Sequence, residues 1–280
     1  MAGDLQDSSR RREHNKEEEK GEEPQKSYET ILEQEIAAGL TELERPAAGL
    51  LLSGLSAGLD VSLSLLLMGV MRTLTAETLP KPVSEILVAL MYAAGFLFVV
   101  LGRSELFTEH TTLAVMPVLD GRASLGQLGR LWVLVYVSNV TGAALFAAFV
   151  SFLGPELGVI EPRAFGAIAS GLVGHPGWVI LLSGVLAGWL MGLLSWLVAA
   201  SRDTIGQIFI VTLVTTAIGL SHLHHSIVGT AEVLAGVFSN QGITMADFGK
   251  FLLWATLGNI LGGFIFVALI KFGHIRSGAN

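Results

Sequence analysis

Two polar clusters interrupt otherwise apolar sequence, and they hold most of the side chains that could act on a small solute. In the first, GRSELFTEHTT at 102–112, polar groups from Glu105, Thr108, Glu109, His110 and Thr111 surround the apolar pair Leu106 and Phe107. A Leu-Phe constriction beside a threonine could close a conduit by excluding water, while Thr108 offers a hydroxyl to whatever passes. The competing account makes Leu106 and Phe107 ordinary core contacts. Glu105 within a membrane is costly unless it is hydrogen-bonded or protonated, which suits an anchor for the loop better than a contact for an anion.

The second cluster, SHLHHS at 221–226, holds His222, His224 and His225, and Ser226, Gly229, Thr230 and Glu232 complete or follow it. Histidine titrates near neutral pH, so an imidazole at a dry constriction could hydrogen-bond or exchange a proton with a weak acid in transit. Three histidines also raise the question of a metal. With no cysteine and no matching acidic pair, the residues call for neither a resident metal nor a cofactor. Structural, hydrogen-bonded histidines are the ordinary alternative. Asp60 and Glu232 are further ionisable groups within apolar stretches, and they are either functional or caps for broken helices.

The elements that must position these residues are membrane helices. About half the chain is hydrophobic (51%), the mean hydropathy is positive, and 33 residues are glycine. Charge is concentrated in the first 45 positions, and no lysine occurs between Lys81 and Lys250. Long stretches therefore lack the solvated face of a soluble helix. The net charge of -7 gives no support for nucleic-acid binding. Absence of cysteine excludes disulfides, iron-sulfur clusters and thiol chemistry. Residues 1–27 read as a disordered, charged tail without a signal peptide, so the first span does the targeting. Residues 28–44 place Ile31, Ile36, Leu40 and Leu43 near one side of an amphipathic surface helix. A transmembrane domain follows over 45–275, with spans near 46–70, 84–118, 128–152, 177–200, 204–238 and 248–272.

An internal repeat organises those spans. LLSGLSAGL at 51–59 recurs as LLSGVLAGW at 181–189, and SNVTGAALF at 138–146 is matched by GNILGGFIF at 258–266, pairing Asn139 with Asn259 and Gly142 with Gly262. A unit of three spans enters the membrane the opposite way the second time. This predicts two inverted three-helix halves, about 46–152 and 177–272, with the second and fifth helices broken. Unwound backbone at membrane depth needs protein or a wet cavity around it, so both breaks are expected at one pathway. Arg45, Arg122, Arg130, Arg202, Lys271 and Arg276 fall on one side and Arg72, Lys81, Arg163 and Lys250 on the other, which places both termini in the cytoplasm.

The residues also carry a family resemblance. GFLFVVLGRSELFTEHT at 95–111, HSIVG at 225–229 and YVSNVTGA at 136–143 resemble motifs of the formate/nitrite transporters, pentameric channels with an aquaporin-like fold. The resemblance covers roughly residues 30–275 and implies a homopentamer in the inner membrane of a prokaryote. It also implies that Leu106, Phe107 and Thr108 shape the cytoplasmic-side constriction, that Phe96 lies at a further constriction, and that His225 is the central pore histidine. Aligning GLSH at 219–222 instead would nominate His222. Departures are Gly229 in place of an asparagine, and Ala187 and Gly188 in place of a Cys-Asn pair. The family's vestibule lysine has no lysine counterpart; Arg163 or His175 would have to substitute.

Together these readings predict a non-enzymatic channel for small monovalent anions or their conjugate acids, such as formate or nitrite, proton-linked through a pore histidine. Its site residues are His225, Thr108, Leu106, Phe107, Phe96, Glu105, His222, His224, Glu232 and Asp60. A channel for neutral solutes such as water or polyols is the alternative, although paired Asn-Pro-Ala motifs are missing. A serine hydrolase is disfavoured because no nucleophile elbow or triad is evident.

Overall fold

Every regular element is helical among the residues, 26–278, that the computed structural model describes. The charged tail expected at 1–27 lies outside them except for Lys26 and Ser27. Helix α1 (Tyr28–Glu44) begins at Ser27, whose hydroxyl accepts from the Thr30 amide (3.2 Å), and turns Ile31, Leu32, Ile36 and Leu43 inward. Helices α2 (Ala47–Val61) and α3 (Leu63–Thr75) form one rod bent at Ser62, whose hydroxyl bonds back to Gly58 O at 2.6 Å. Helix α4 (Lys81–Gly102) stops where Arg103 adopts a left-handed conformation, φ 55°. The chain then runs extended to α5 (Phe107–His110), a short 3-10 turn and α6 (Met116–Leu119). Helix α7 (Leu125–Glu156), opened by a Ser124/Gln127 capping box, completes the first part of the molecule.

The second part opens with α8 (Pro162–Val173), an element that the sequence-predicted spans leave out. Helices α9 (Gly177–Ala200) and α10 (Thr204–Leu220) follow, and α10 ends as His222 turns left-handed, φ 50°. Helix α11 (Ser226–Phe238) resumes after the break. Helix α12 (Met245–Leu261) continues through a widened π stretch, Gly262–Leu269, into α13 (Ile270–Gly278).

Among the described residues five continuous rods are long and apolar enough to cross a membrane: Ala47–Thr75, Lys81–Gly102, Leu125–Glu156, Gly177–Ala200 and Met245–Ser277. The stretch expected to span at 204–238 is two shorter apolar helices, of 17 and 13 residues, separated by the His222 turn. Neither alone has the roughly 20 residues a crossing needs. Large apolar side chains face outward along the rods and along α10, among them Leu52, Phe149, Phe152, Trp178 and Phe209. Water would not tolerate that surface, but hydrocarbon or another protein does.

Close helix contact depends on glycine. α2 packs along α7 and α9 along α12, and a Cβ on Gly58 or on Gly188 would run into the backbone carbonyl of Asn139 or Asn259 respectively. Gly129, on the outer face of α7, has nothing within 4 Å of its would-be Cβ. Gly188→Ala is therefore expected to lower the thermal unfolding midpoint in detergent, whereas Gly129→Ala should leave it unchanged or raise stability by about 0.5–1 kcal/mol, because alanine loses less backbone entropy in a helix.

Candidate functional site

Two asparagines hold both breaks in place by the same set of bonds. Asn139 Oδ1 accepts from Phe107 N (2.8 Å), and its Nδ2 donates to Gly54 O (2.7 Å) and Glu105 O (2.8 Å). Asn259 Oδ1 accepts from Ser226 N (2.8 Å), and its Nδ2 donates to Gly184 O and His224 O, both at 2.9 Å. The serines of the repeated LLSG motif complete each set. Ser53 Oγ accepts from Glu105 N and Ser183 Oγ from His224 N, both at 3.1 Å. Backbone groups released at the breaks thus find partners although both asparagines are fully buried. The correspondence equates Glu105 with His224, Leu106 with His225 and Phe107 with Ser226. Neither asparagine nor serine was among the predicted site residues, although the repeat had already paired the asparagines.

The ends of the two broken segments meet. His225 caps α11, with Nδ1 accepting from Val228 N (3.3 Å), so Nε2 carries the proton and donates to Thr108 Oγ1 at 2.8 Å. Phe96 stands edge-on to His225 with ring centroids 5.2 Å apart, and Tyr92 lies 5.2 Å beyond Phe96. Leu106, Phe96, Thr108 and His225 are all buried, which makes this junction a dry, uncharged throat. Phe107 takes a different direction, packing against Tyr136 (4.9 Å) and Trp132 (6.0 Å) on α7.

Cavities lie at both ends. One, of about 260 Å³, is lined by Met68, Arg72, Val88, Tyr92, Ile218, His222 and Glu232. Arg72 is paired there with Glu85 (2.7 Å), whose other oxygen lies 3.8 Å from the exposed His222. The other cavity, of about 520 Å³, lies under α1 and includes Glu35, Glu42, Glu105, Glu109, His110 and Ser195. Glu105 binds Arg45 (2.6 Å) and His110, so its carboxylate anchors α1 to the first break. Of the three histidines at the second break, His225 alone reaches the junction. His224 is spent on Ser183 (2.8 Å) and Leu172 O (2.9 Å). Asp60 accepts from Ser56 and Ser104, both at 3.0 Å, and so steadies the left-handed exit from α4. Residues 54–58 do spell Gly-x-Ser-x-Gly, but inside α2, where Ser56 serves Asp60 and no strand-to-helix elbow exists. Among the described residues no cluster of His, Asp and Glu could hold a metal ion.

Interrupted helices joined at a buried throat between two cavities define the class: a polytopic helical membrane protein built around a conduit. The sequence model of the formate/nitrite transporter family matches residues 29–273, and the chain belongs to that family. It is 33% identical over 242 residues to the inner membrane protein YfdC of Escherichia coli (strain K12), covering 85% of this chain and 76% of that protein. Two solved structures share the fold. An "FNT family ion channel" has a TM-score of 0.77 at 24% identity, covering 88% of this chain and 98% of the other. A "Pentameric formate channel with formate bound" has a TM-score of 0.70 at 22% identity, covering 82% and 98%.

Removing either asparagine side chain orphans buried backbone groups, at a cost of about 1–3 kcal/mol each. Asn259→Leu is expected to lower the thermal midpoint by roughly 5 °C or more, and Asn139→Leu likewise, measured on detergent-solubilised protein.

Burial in the α1 pocket raises the Glu35 carboxyl from its ordinary 4.5 to about 7, opposed by the Ser195 hydroxyl (3.1 Å) and by His110. A buried acid of this kind favours the docked helix while protonated. Docking should therefore weaken by on the order of 3 kcal/mol as pH rises from the unfolded value to the folded one, and stay weak above it. Hydrogen-exchange protection factors across residues 28–44, taken relative to the intrinsic exchange rate at each pH, are expected to fall over that window in the wild type and to remain flat in Glu35→Gln.

Proposed function

We propose that this protein conducts small monovalent anions of the formate and nitrite class, or their conjugate acids, through the throat formed by Phe96, Leu106, Thr108 and His225. The observation that carries the reading is the Thr108–His225 hydrogen bond, which joins the two broken segments at a buried point with a cavity on either side. Apolar walls penalise a bare charge far more than its neutral acid, so the solute crosses the narrowest point protonated or hydrogen-bonded to Thr108 and His225. The Thr108 hydroxyl, having accepted from His225 Nε2, keeps its own proton free to donate. With Nδ1 held by the Val228 amide and Nε2 already protonated, His225 acts toward the passing solute as a hydrogen-bond donor, and it takes a proton only when Nδ1 gives up its bond to Val228. Phe107 buttresses the throat through α7, Glu105 and Asp60 hold the first break in shape, and His224 holds the second.

Six spans in two inverted halves suit this reading, with the second and fifth interrupted. The equal hydrogen-bond sets at Asn139 and Asn259 support the pseudo-twofold. A homopentamer with one conduit per protomer accounts for the apolar outer faces, and one relative of this fold is described as pentameric. The excess of arginine and lysine at the α1 end supports cytoplasmic termini in a prokaryotic inner membrane.

Proteoliposome flux tests the proposal. Formate and nitrite uptake is expected to be faster at mildly acidic than at mildly alkaline external pH. His225→Ala and Thr108→Val should each reduce it by roughly tenfold, the worth of one buried hydrogen bond. Wild-type rates and pH dependence in His225→Ala would remove the histidine from the mechanism.

A further inference from the structure

The cavity at the end away from α1 has a floor that the throat does not use. Glu232, on the cavity-facing side of α11, is 4% exposed, and Tyr92, one ring beyond Phe96, is also 4% exposed. Among the described residues neither the Glu232 carboxyl nor the Tyr92 hydroxyl has a hydrogen-bond or ion-pair partner, and both line the same open space. The other titratable or charged groups lining it are Arg72, Lys81, Glu85 and His222, from α3, α4 and the turn after α10. Helix α8 presents only Ala167, Ile168, Gly171 and Leu172 to it.

An ionised Glu232 would be a buried charge with no cation in ion-pair range, since the Arg72 guanidinium is engaged by Glu85 at 2.7 Å. The protonated acid is far cheaper to bury, and it is a hydrogen-bond donor. A carboxylic acid kept neutral by an apolar site can bind an oxyanion without neutralising it, and Tyr92 supplies a second O–H of the same kind. Two uncharged donors also suit a conduit, because an anion held by a full counter-charge binds too tightly to leave quickly.

We propose that Glu232 in its neutral form and Tyr92 make a two-donor acceptor site for a small oxyanion just outside the Phe96 throat, and that ionisation of Glu232 closes this site to anions. It holds the solute between the charged groups of the same cavity, Arg72, Lys81, Glu85 and His222, and the Phe96 throat. The inference rests on the anion-conducting reading above.

The test is formate flux in proteoliposomes over a pH series, with assembly of each variant checked by gel filtration. Glu232→Gln keeps an N–H donor of similar shape but cannot ionise. It is expected to lower flux roughly threefold at acidic pH, and the ratio of its flux to wild type should rise steadily toward alkaline pH. Tyr92→Phe is expected to raise the half-saturating formate concentration by roughly threefold to tenfold with a pH profile parallel to wild type. A Glu232→Gln to wild-type ratio that does not change with pH overturns the proposal and leaves the channel reading standing. So does ammonium flux that Glu232→Gln abolishes, which would make Glu232 a carboxylate for cations. Wild-type vesicles that pass none of formate, nitrite or acetate overturn both readings together.

Discussion

Backbone that leaves a helix inside a membrane must find hydrogen-bond partners in the protein, and in this chain two buried asparagines supply them. Asn139 and Asn259 each accept one amide and donate to two carbonyls, and each lies beside a serine from the same repeated motif. An unsatisfied peptide group in hydrocarbon costs several kcal/mol, so without these bonds neither break would persist. All that concerns permeation follows from them, since they fix where Leu106 and His225 stand and how near Thr108 comes to the imidazole.

The same bonds explain why the throat is polar only where it must be. The amides and carbonyls of Glu105 and His224 and the amides of Phe107 and Ser226 are taken by the asparagines and serines, which leaves Thr108, the free face of His225 and the apolar Leu106 and Phe96 as the side chains of the junction. Ionised groups lie outside this zone. Glu105 is occupied by Arg45 and His110 under α1, and Arg72 by Glu85 at the far rim. On the proposed pathway a solute meets charge, then neutral donors, then almost none, which is a graded removal of water rather than a single barrier.

Much of this was legible in the sequence. The polar clusters at 102–112 and 221–226 fall where the helices end, because few charged groups survive in apolar stretches without a purpose. The repeat paired Asn139 with Asn259 before their bonds were seen. Other features were hidden for identifiable reasons. Helix α8 has only 12 residues, too few to register as a span of roughly 20, and its place is set by packing on α11. The register among three neighbouring histidines depends on a single left-handed residue, His222, which composition does not reveal. The orientation of Phe107 toward Tyr136 and Trp132 is a tertiary preference that no local pattern encodes. Glu232 was visible as an ionisable residue, but its lack of a partner could be read only in three dimensions.

The π stretch at Gly262–Leu269 has no counterpart in α7, which runs as regular helix through the matching segment around Gly142. Its wider turn brings Gly263 against Thr111 and Thr112, and the Thr112 hydroxyl donates to Gly263 O at 3.1 Å. The final rod is thereby stitched to the strip of chain just past Thr108, on the α1 flank alone. A molecule with two similar halves has in this way been given a front and a back, because one side of its waist is tied to the closing rod and the other is not tied in that manner.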